Sequence, residues 1–204
     1  IRSIGIIGAG TMGNGIAQVA AGAGFDVILL DINDAALEKG LVALSKSLDR
    51  LIKKESITSE QKVKTLARIK TTTHYADLAS VSLVIEAATE NQAIKEKILA
   101  QVDHVVSKET IIASNTSSIS ITHLASLNSR PERFIGIHFF NPPPLMALLE
   151  VIMGKETSPE TLKVVLAMAS AMGKEPITVQ SSPGFVVNRI LLPMINEAFF
   201  VLHE

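Results

Sequence analysis

The sequence predicts an α/β fold, a doubly wound and mostly parallel sheet covered by helices on both faces, and three features of the 204-residue chain predict it. Short runs such as Val27-Ile28-Leu29-Leu30 and Val81-Ser82-Leu83-Val84-Ile85 are almost uniformly apolar, as strands buried on both faces must be. Longer segments between them carry apolar residues at helical spacing. A glycine cluster joins the first such strand to the first such helix. Strands that alternate with helices make a parallel sheet, because each crossover returns the chain to the same end.

Taken in order, Ser3 to Ile7 is the first strand, and the period turns helical through Met12, Ile16, Val19 and Ala20 until Gly22 and Gly24 stop it. Phe25 to Leu30 is the second strand, closed by Asp31, which completes a β-α-β unit. A long amphipathic helix from Asp34 to Lys54 and a second from Ser59 to Arg68 are expected to form a hairpin. Further strands are expected at Ile69–Thr73, Thr110–Ala113 and Phe134–Ile137, with a helix from Gln92 to Val106. Beyond Glu150 the pattern changes. Ser158 caps a helix that runs to Met172 with proline at its first position, Pro176–Val179 reads as a strand, and Gly184 begins an apolar helix that continues to Glu204. That helix is apolar over too much of its surface to close a domain. The expected division is therefore a dinucleotide-binding domain over residues 1–182 and, over 183–204, the first helix of an all-α C-terminal domain, truncated here. The missing initial methionine is expected to reflect trimming or processing.

Composition narrows the function. Nineteen lysines and arginines nearly cancel twenty acids, for a net charge of −1, so no global field draws nucleic acid or an anionic membrane, and small-molecule partners are expected. Without cysteine there is no disulfide, thiolate metal site or cysteine nucleophile. No apolar run reaches the roughly 18–20 residues that span a bilayer, and four glycines between Gly5 and Gly13 break the N-terminal stretch that could pass for a signal peptide.

Gly8-Ala9-Gly10-Thr11-Met12-Gly13 fits G-x-G-x-x-G, a pattern whose weight comes from context: it follows a strand, opens a helix, and precedes by 18 residues an acid that ends the next strand. In such a Rossmann-type unit Gly8 makes the tight turn, Gly10 lets the backbone approach a pyrophosphate, and Gly13 lets helix and strand pack closely. The helix N-terminus, at Thr11 and Met12, turns free N–H groups and a positive dipole end to the phosphates. Asp31 is placed to accept hydrogen bonds from the adenosine ribose hydroxyls, and a 2′-phosphate there would meet a bare carboxylate, so NAD is expected rather than NADP.

One further segment stands out. The run from Gly136 to Val151 is strongly apolar yet carries one histidine, His138, and one glutamate, Glu150. Burying either unpaired would cost several kcal/mol, so both face water or they face each other. If residues 134–139 form a strand, Ile135, Ile137 and Phe139 share one face while Gly136 and His138 point to the other, and His138 leaves that core.

Together with the glycine loop, the stretches Ile85-Glu-Ala-Ala-Thr-Glu-Asn91, Ala113-Ser-Asn-Thr-Ser-Ser118, His138-Phe-Phe-Asn-Pro142 and Pro183-Gly-Phe-Val-Val-Asn-Arg189 resemble the L-3-hydroxyacyl-CoA dehydrogenase family across essentially the whole chain, most closely its short bacterial 3-hydroxybutyryl-CoA members. The resemblance implies an NAD-dependent oxidoreductase that interconverts (S)-3-hydroxyacyl-CoA and 3-oxoacyl-CoA without a metal. It implies His138 as general base and Glu150 as its partner acid; Pro142, Pro143 and Pro144 force the turn that can bring the two together. Ser117 matches the serine that binds the substrate's 3-oxygen, and Asn188 the asparagine that helps hold substrate. Glu90 and Lys95 match positions near the nicotinamide ribose, although a solvated helix face is an equal reading for Lys95. Asn115 matches a residue beside the nicotinamide ring, and Asn141 another site residue that serves cofactor and substrate. Lys46, Arg50, Lys53 and Lys54 share one helix face; a solvated basic face is an equal reading, while in the family this hairpin meets the adenosine phosphates of coenzyme A, and the resemblance then implies Ser47 and Lys54 as substrate contacts. The family further implies a cytoplasmic homodimer formed through the helical domain. The competing expectations are a related NAD-dependent 3-hydroxyacid or sugar-nucleotide dehydrogenase, and a non-catalytic NAD-binding protein of the lens-crystallin kind.

Overall fold

The computed structural model describes residues 1–204. Its strands are β1 (Ser3–Ile7), β2 (Asp26–Leu30), β3 (Ile69–Thr72), β4 (Leu83–Glu86), β5 (Ile111–Ser114), β6 (Phe134–Phe139), β7 (Leu148–Met153) and β8 (Glu175–Gln180). Its helices are α1 (Thr11–Gly22), α2 (Asp34–Lys53), α3 (Ser59–Ala67), α4 (Gln92–Val105), α5 (Ile121–Ser126), α6 (Pro159–Ala171) and α7 (Val187–His203). The eight strands form one sheet in the order β3-β2-β1-β4-β5-β6-β7-β8. Every neighbouring pair is parallel except β6 and β7. From β1 the chain winds first to one side through β2 and β3, then to the other from β4 onward, so strand order reverses between β1 and β4. Doubly wound sheets bind ligands at this switch, outside the carboxyl ends of the strands.

Two apolar layers sandwich the sheet. On one face Ile4, Ile6, Leu29, Ile85, Ile135 and Ile137 pack against Ile16 and Ala20 of α1, Leu44 and Leu48 of α2, and Val165 and Met168 of α6. On the other, Ile7, Val84, Ile112 and Phe134 pack against Leu99 and Val102 of α4, Leu124 of α5, and Phe185. Each such buried Val, Leu, Ile, Met or Phe side chain stabilises the fold by about 1.5–3 kcal/mol, which explains why the central strands are mostly apolar on both faces, while the edge strands β3 and β8 expose polar residues. Five of the seven helices start at a side-chain cap. Asn33, Asn91, Ser120 and Ser158 each accept a backbone N–H from the first turn, and Thr58 with Gln61 completes a reciprocal capping box on α3.

Two departures from the sequence expectation matter. The helix expected from Gly184 begins at Val187, because Gly184 (φ 73°) and Phe185 (φ 51°) are successive left-handed residues, which no right-handed helix can include. Helix α5 has no counterpart among the expected elements, because six residues are too few to carry a helical period. Beyond Arg189, α7 lies exposed, with Ile190, Leu192, Met194, Phe199 and Leu202 open to solvent. No helix is long and apolar enough to cross a membrane.

Candidate active site

Strand pairing puts the histidine and the glutamate together. In the antiparallel β6/β7 ladder His138 lies directly opposite Glu150, so both side chains leave the same face of the sheet at the closest cross-strand spacing. Imidazole Nδ1 and carboxylate Oε2 are 2.7 Å apart. Glu150 is fully buried and His138 is 6% exposed. The expected facing is right, since Ile135, Ile137 and Phe139 belong to the opposite layer, but leaving that layer does not bring His138 into open water. The second face is covered too, and the rings of Phe140 and Phe185 flank the imidazole with centroids 4.5 and 5.8 Å away.

Glu150 is saturated. Its other oxygen, Oε1, accepts the N–H groups of Val186 and Val187 at 3.0 and 2.9 Å, so the carboxylate also caps the start of α7 and interacts favourably with that helix dipole. With Glu150 accepting at Nδ1–H, the imidazole tautomer is set and Nε2 is left as the acceptor.

A cleft of about 300 Å³ opens at the switch between β1 and β4, lined by Gly10, Thr11, Met12, Ala87, Ala88, Thr89, Glu90, Lys95, Asn115 and Ser117. A larger cavity, about 1020 Å³, lies between the end of α1, the α2/α3 hairpin and the end of α6. It lacks the glycine loop, whereas the smaller cleft is lined by Gly10, Thr11 and Met12 of that loop and reaches the His138 strand through Asn115, so the chemistry belongs to the smaller cleft.

The cleft fits a dinucleotide. Gly8 has φ 100°, and a side chain on it would strike the Ala88 backbone at 2.6 Å. A Cβ on Gly13 would stand 1.6 Å from the Gly8 carbonyl oxygen, so both positions require glycine. A Cβ on Gly10 would meet nothing within 4 Å: it would project into the open space where a pyrophosphate approaches the α1 N-terminus. Asp31 accepts Ala9 N–H at 2.6 Å and Ile32 N–H at 2.7 Å. Each of its oxygens retains a lone pair for a ribose hydroxyl.

The remaining expected residues divide into those brought to this place and those that are not. Asn115 accepts Phe139 N–H at 2.9 Å, joining the cleft to the residue after His138. Asn188 Nδ2 donates to the Ser117 carbonyl at 3.3 Å, which ties the first turn of α7 to the β5–α5 loop. Glu90 Oε1 accepts from Thr116 Oγ1 at 2.6 Å, Ser117 N–H at 2.8 Å and Ser118 Oγ at 3.1 Å. Burial alone would raise its pKa; those donors, with the Lys95 charge, outweigh it and hold the carboxyl below its ordinary value. Lys95 is not on a solvated face. It is 1% exposed, its Nζ lies 2.5 Å from Glu86 Oε2 and 3.7 Å from Glu90 Oε2. Asn141 sits exposed at the end of β6. Ser47 and Lys54 lie on and just beyond α2, away from the cleft lining, and Lys54 is exposed. No three His, Asp or Glu side chains cluster as metal ligands do.

Two residues carried no individual signal in the sequence. Glu86 ends an apolar strand, and Phe185 looks like one more apolar residue at the start of a helix. The pairing of an acid on β4 with a lysine nine residues later on α4 is the only hint that spacing gives.

A dinucleotide-binding switch point with, on nearby paired strands, an imidazole held by a buried carboxylate defines a nicotinamide-dependent dehydrogenase domain. Residues 3–182 match the family model described as 3-hydroxyacyl-CoA dehydrogenase, NAD binding domain. The chain is 48% identical over its full length to a 3-hydroxybutyryl-CoA dehydrogenase from Bradyrhizobium diazoefficiens, of which it covers 70%. It is 50% identical over 98% of its length to a probable 3-hydroxybutyryl-CoA dehydrogenase from Deinococcus radiodurans, covering 72% of that protein. The crystal structure of (S)-3-hydroxybutyryl-CoA dehydrogenase PaaH1 from Ralstonia eutropha superimposes with a TM-score of 0.98 at 60% identity, over all of this chain and 72% of that one. The chain belongs to the 3-hydroxyacyl-CoA dehydrogenase family and carries its NAD-binding domain.

Proposed function

We propose that this protein oxidises (S)-3-hydroxyacyl-CoA to 3-oxoacyl-CoA with NAD, and runs the reverse reduction, with 3-hydroxybutyryl-CoA as its short-chain substrate. The observation that carries the reading is the 2.7 Å contact between His138 and the fully buried Glu150. It leaves one imidazole nitrogen free to take a proton. The names of the relatives support the substrate class.

In the oxidation His138 Nε2 would remove the C3 hydroxyl proton as that carbon gives up its hydride. NAD, when bound, supplies the acceptor for that hydride. As the imidazole becomes positive, the Glu150 carboxylate at Nδ1 stabilises it, the part the acid plays in a hydrolase triad. The Ser117 hydroxyl is assigned to the C3 oxygen, and Asn188 holds the substrate and the Ser117 loop. Gly8, Gly10, Thr11, Met12, Gly13 and Asp31 hold the dinucleotide, with Glu90, Lys95, Asn115 and Asn141 at its far half. Coenzyme A is assigned to the α2/α3 hairpin through Ser47 and Lys54. Residues 183–204 are read as the first part of a helical domain that pairs two copies, which suits the exposed apolar surface of α7, and the place of action as the cytoplasm.

NADH formation followed by absorbance tests the reaction. Turnover is expected with (S)-3-hydroxybutyryl-CoA and not with free 3-hydroxybutyrate. Equal rates with the free acid would replace the coenzyme A reading with a 3-hydroxyacid dehydrogenase. NAD binding without turnover of either would leave a non-catalytic domain.

A further inference from the structure

The buried group the mechanism does not use is Glu86. It ends β4, between Ile7 of β1 and Ser114 of β5 in the sheet register, at the carboxyl edge where strand order reverses. Its Oε1 accepts Ala88 N–H at 2.9 Å. Its Oε2 accepts Lys95 Nζ at 2.5 Å and Ser114 Oγ at 2.9 Å. Its backbone carbonyl accepts Asn115 N–H at 2.8 Å. Neither member of the ion pair is more than 1% exposed.

Such a pair is a poor way to stabilise a core, because removing both charges from water costs about what their attraction returns. Its value lies in what it holds in place. Three groups on the wall or floor of the cleft, namely Lys95, Ala88 and Asn115, are fixed by this one residue. Ala88 is also the residue that packs against Gly8, so the carboxylate sets the gap between the glycine loop and the β4–α4 turn. The ammonium spends one of its three N–H donors on Glu86, and Glu90 at 3.7 Å is beyond hydrogen-bonding distance. The other donors remain for a ligand.

We infer that Glu86 is a positioning residue for the cofactor: it delivers the Lys95 ammonium, through the protein interior, to the half of the dinucleotide that extends past the glycine loop. This rests on the NAD reading of the cleft. The adenosine half, held by Asp31 and the loop, does not depend on it.

Calorimetric titration of the full-length protein with NADH and, separately, AMP tests the inference in Glu86→Gln, Lys95→Met and the double variant. Glu86→Gln is expected to weaken NADH by about tenfold or more while AMP binds as in the parent. Lys95→Met should weaken NADH comparably. The double variant should be no weaker than Lys95→Met alone, because the two residues act as one unit. The inference is overturned if folded Glu86→Gln binds NADH within about twofold of the parent, if it loses NADH and AMP equally, or if the two single losses multiply in the double. Should Glu86→Gln fail to fold with a lone buried ammonium, the double variant, which buries no charge, decides: parental NADH affinity there overturns the inference, and a selective loss with AMP binding retained supports it. Absent turnover of 3-hydroxybutyryl-CoA would remove the proposed reaction and leave this binding result standing.

Discussion

The molecule buries two carboxylates at the same edge of its sheet, each against a nitrogen group, Glu150 against the His138 imidazole and Glu86 against the Lys95 ammonium, and the pairs differ in what each has left over. Both carboxylates are spent: Glu150 on the imidazole and two N–H groups of α7, Glu86 on an ammonium, a hydroxyl and an N–H. The imidazole keeps an unused acceptor nitrogen, whereas the ammonium keeps only donors. One pair can therefore take a proton and the other can only hold a ligand. Similar burial and similar distances yield a base in one place and a binding post in the other, and the nitrogen group facing each carboxylate makes the difference.

The largest effect should come from removing the acceptor. His138→Asn is expected to lower kcat by about 10²–10⁴-fold and to leave NADH affinity near that of the parent, the reverse of the pattern expected from Glu86→Gln. A loss of NADH affinity with kcat preserved would erase the contrast. Next comes Glu150→Gln, which keeps the shape of the side chain and removes its charge. Steady-state kinetics should show kcat reduced on the order of 10²-fold with KM for the acyl-CoA little changed, because the imidazolium it stabilises exists only as the proton moves. Unchanged turnover would refute the dyad.

How much of this was legible in the sequence follows from how local each feature is. The glycine loop, Asp31 and the capped starts of α2, α3, α4 and α6 are written in contiguous residues, and the structure has them within a residue or two of expectation. The pairing of His138 with Glu150 rested on the family resemblance; the residues alone left the two facing water or each other, the proline turn only permitted their meeting, and the strand register decides it. Glu86 and Lys95 were harder. A carboxylate at the end of an apolar run gives no hint of its partner, and Lys95 on an amphipathic helix looks like a solvated cation until the sheet is assembled over it. The left-handed Phe185 and the N–H groups that Val186 and Val187 offer to Glu150 depend on where α7 is tethered, which no local pattern encodes. Ser47 and Lys54 owe their assignment to family resemblance, and nothing in the cleft geometry adds to it.

Glu90 gives the smallest and most discriminating effect, since it is a third acid at the same edge but stands 45% exposed. Burial tends to raise its pKa, yet Thr116, the Ser117 N–H, Lys95 and Ser118 together lower it from the ordinary value of 4.5. A carboxyl with a depressed folded-state pKa contributes stability that is present above its unfolded value and lost as pH falls through the folded value. Glu90→Gln should therefore lower the melting temperature at neutral pH, by no more than about 2 °C given its exposure. The difference from the parent should shrink as the pH falls below 4.5 and vanish once the Glu90 carboxyl is protonated in the folded as well as the unfolded state. Thermal melts across that range check this. A deficit that persisted in acid would mean that the Glu90 hydrogen bonds, rather than its charge, hold the Thr116–Ser118 loop, and the exposed acid would then differ from the two buried ones in kind.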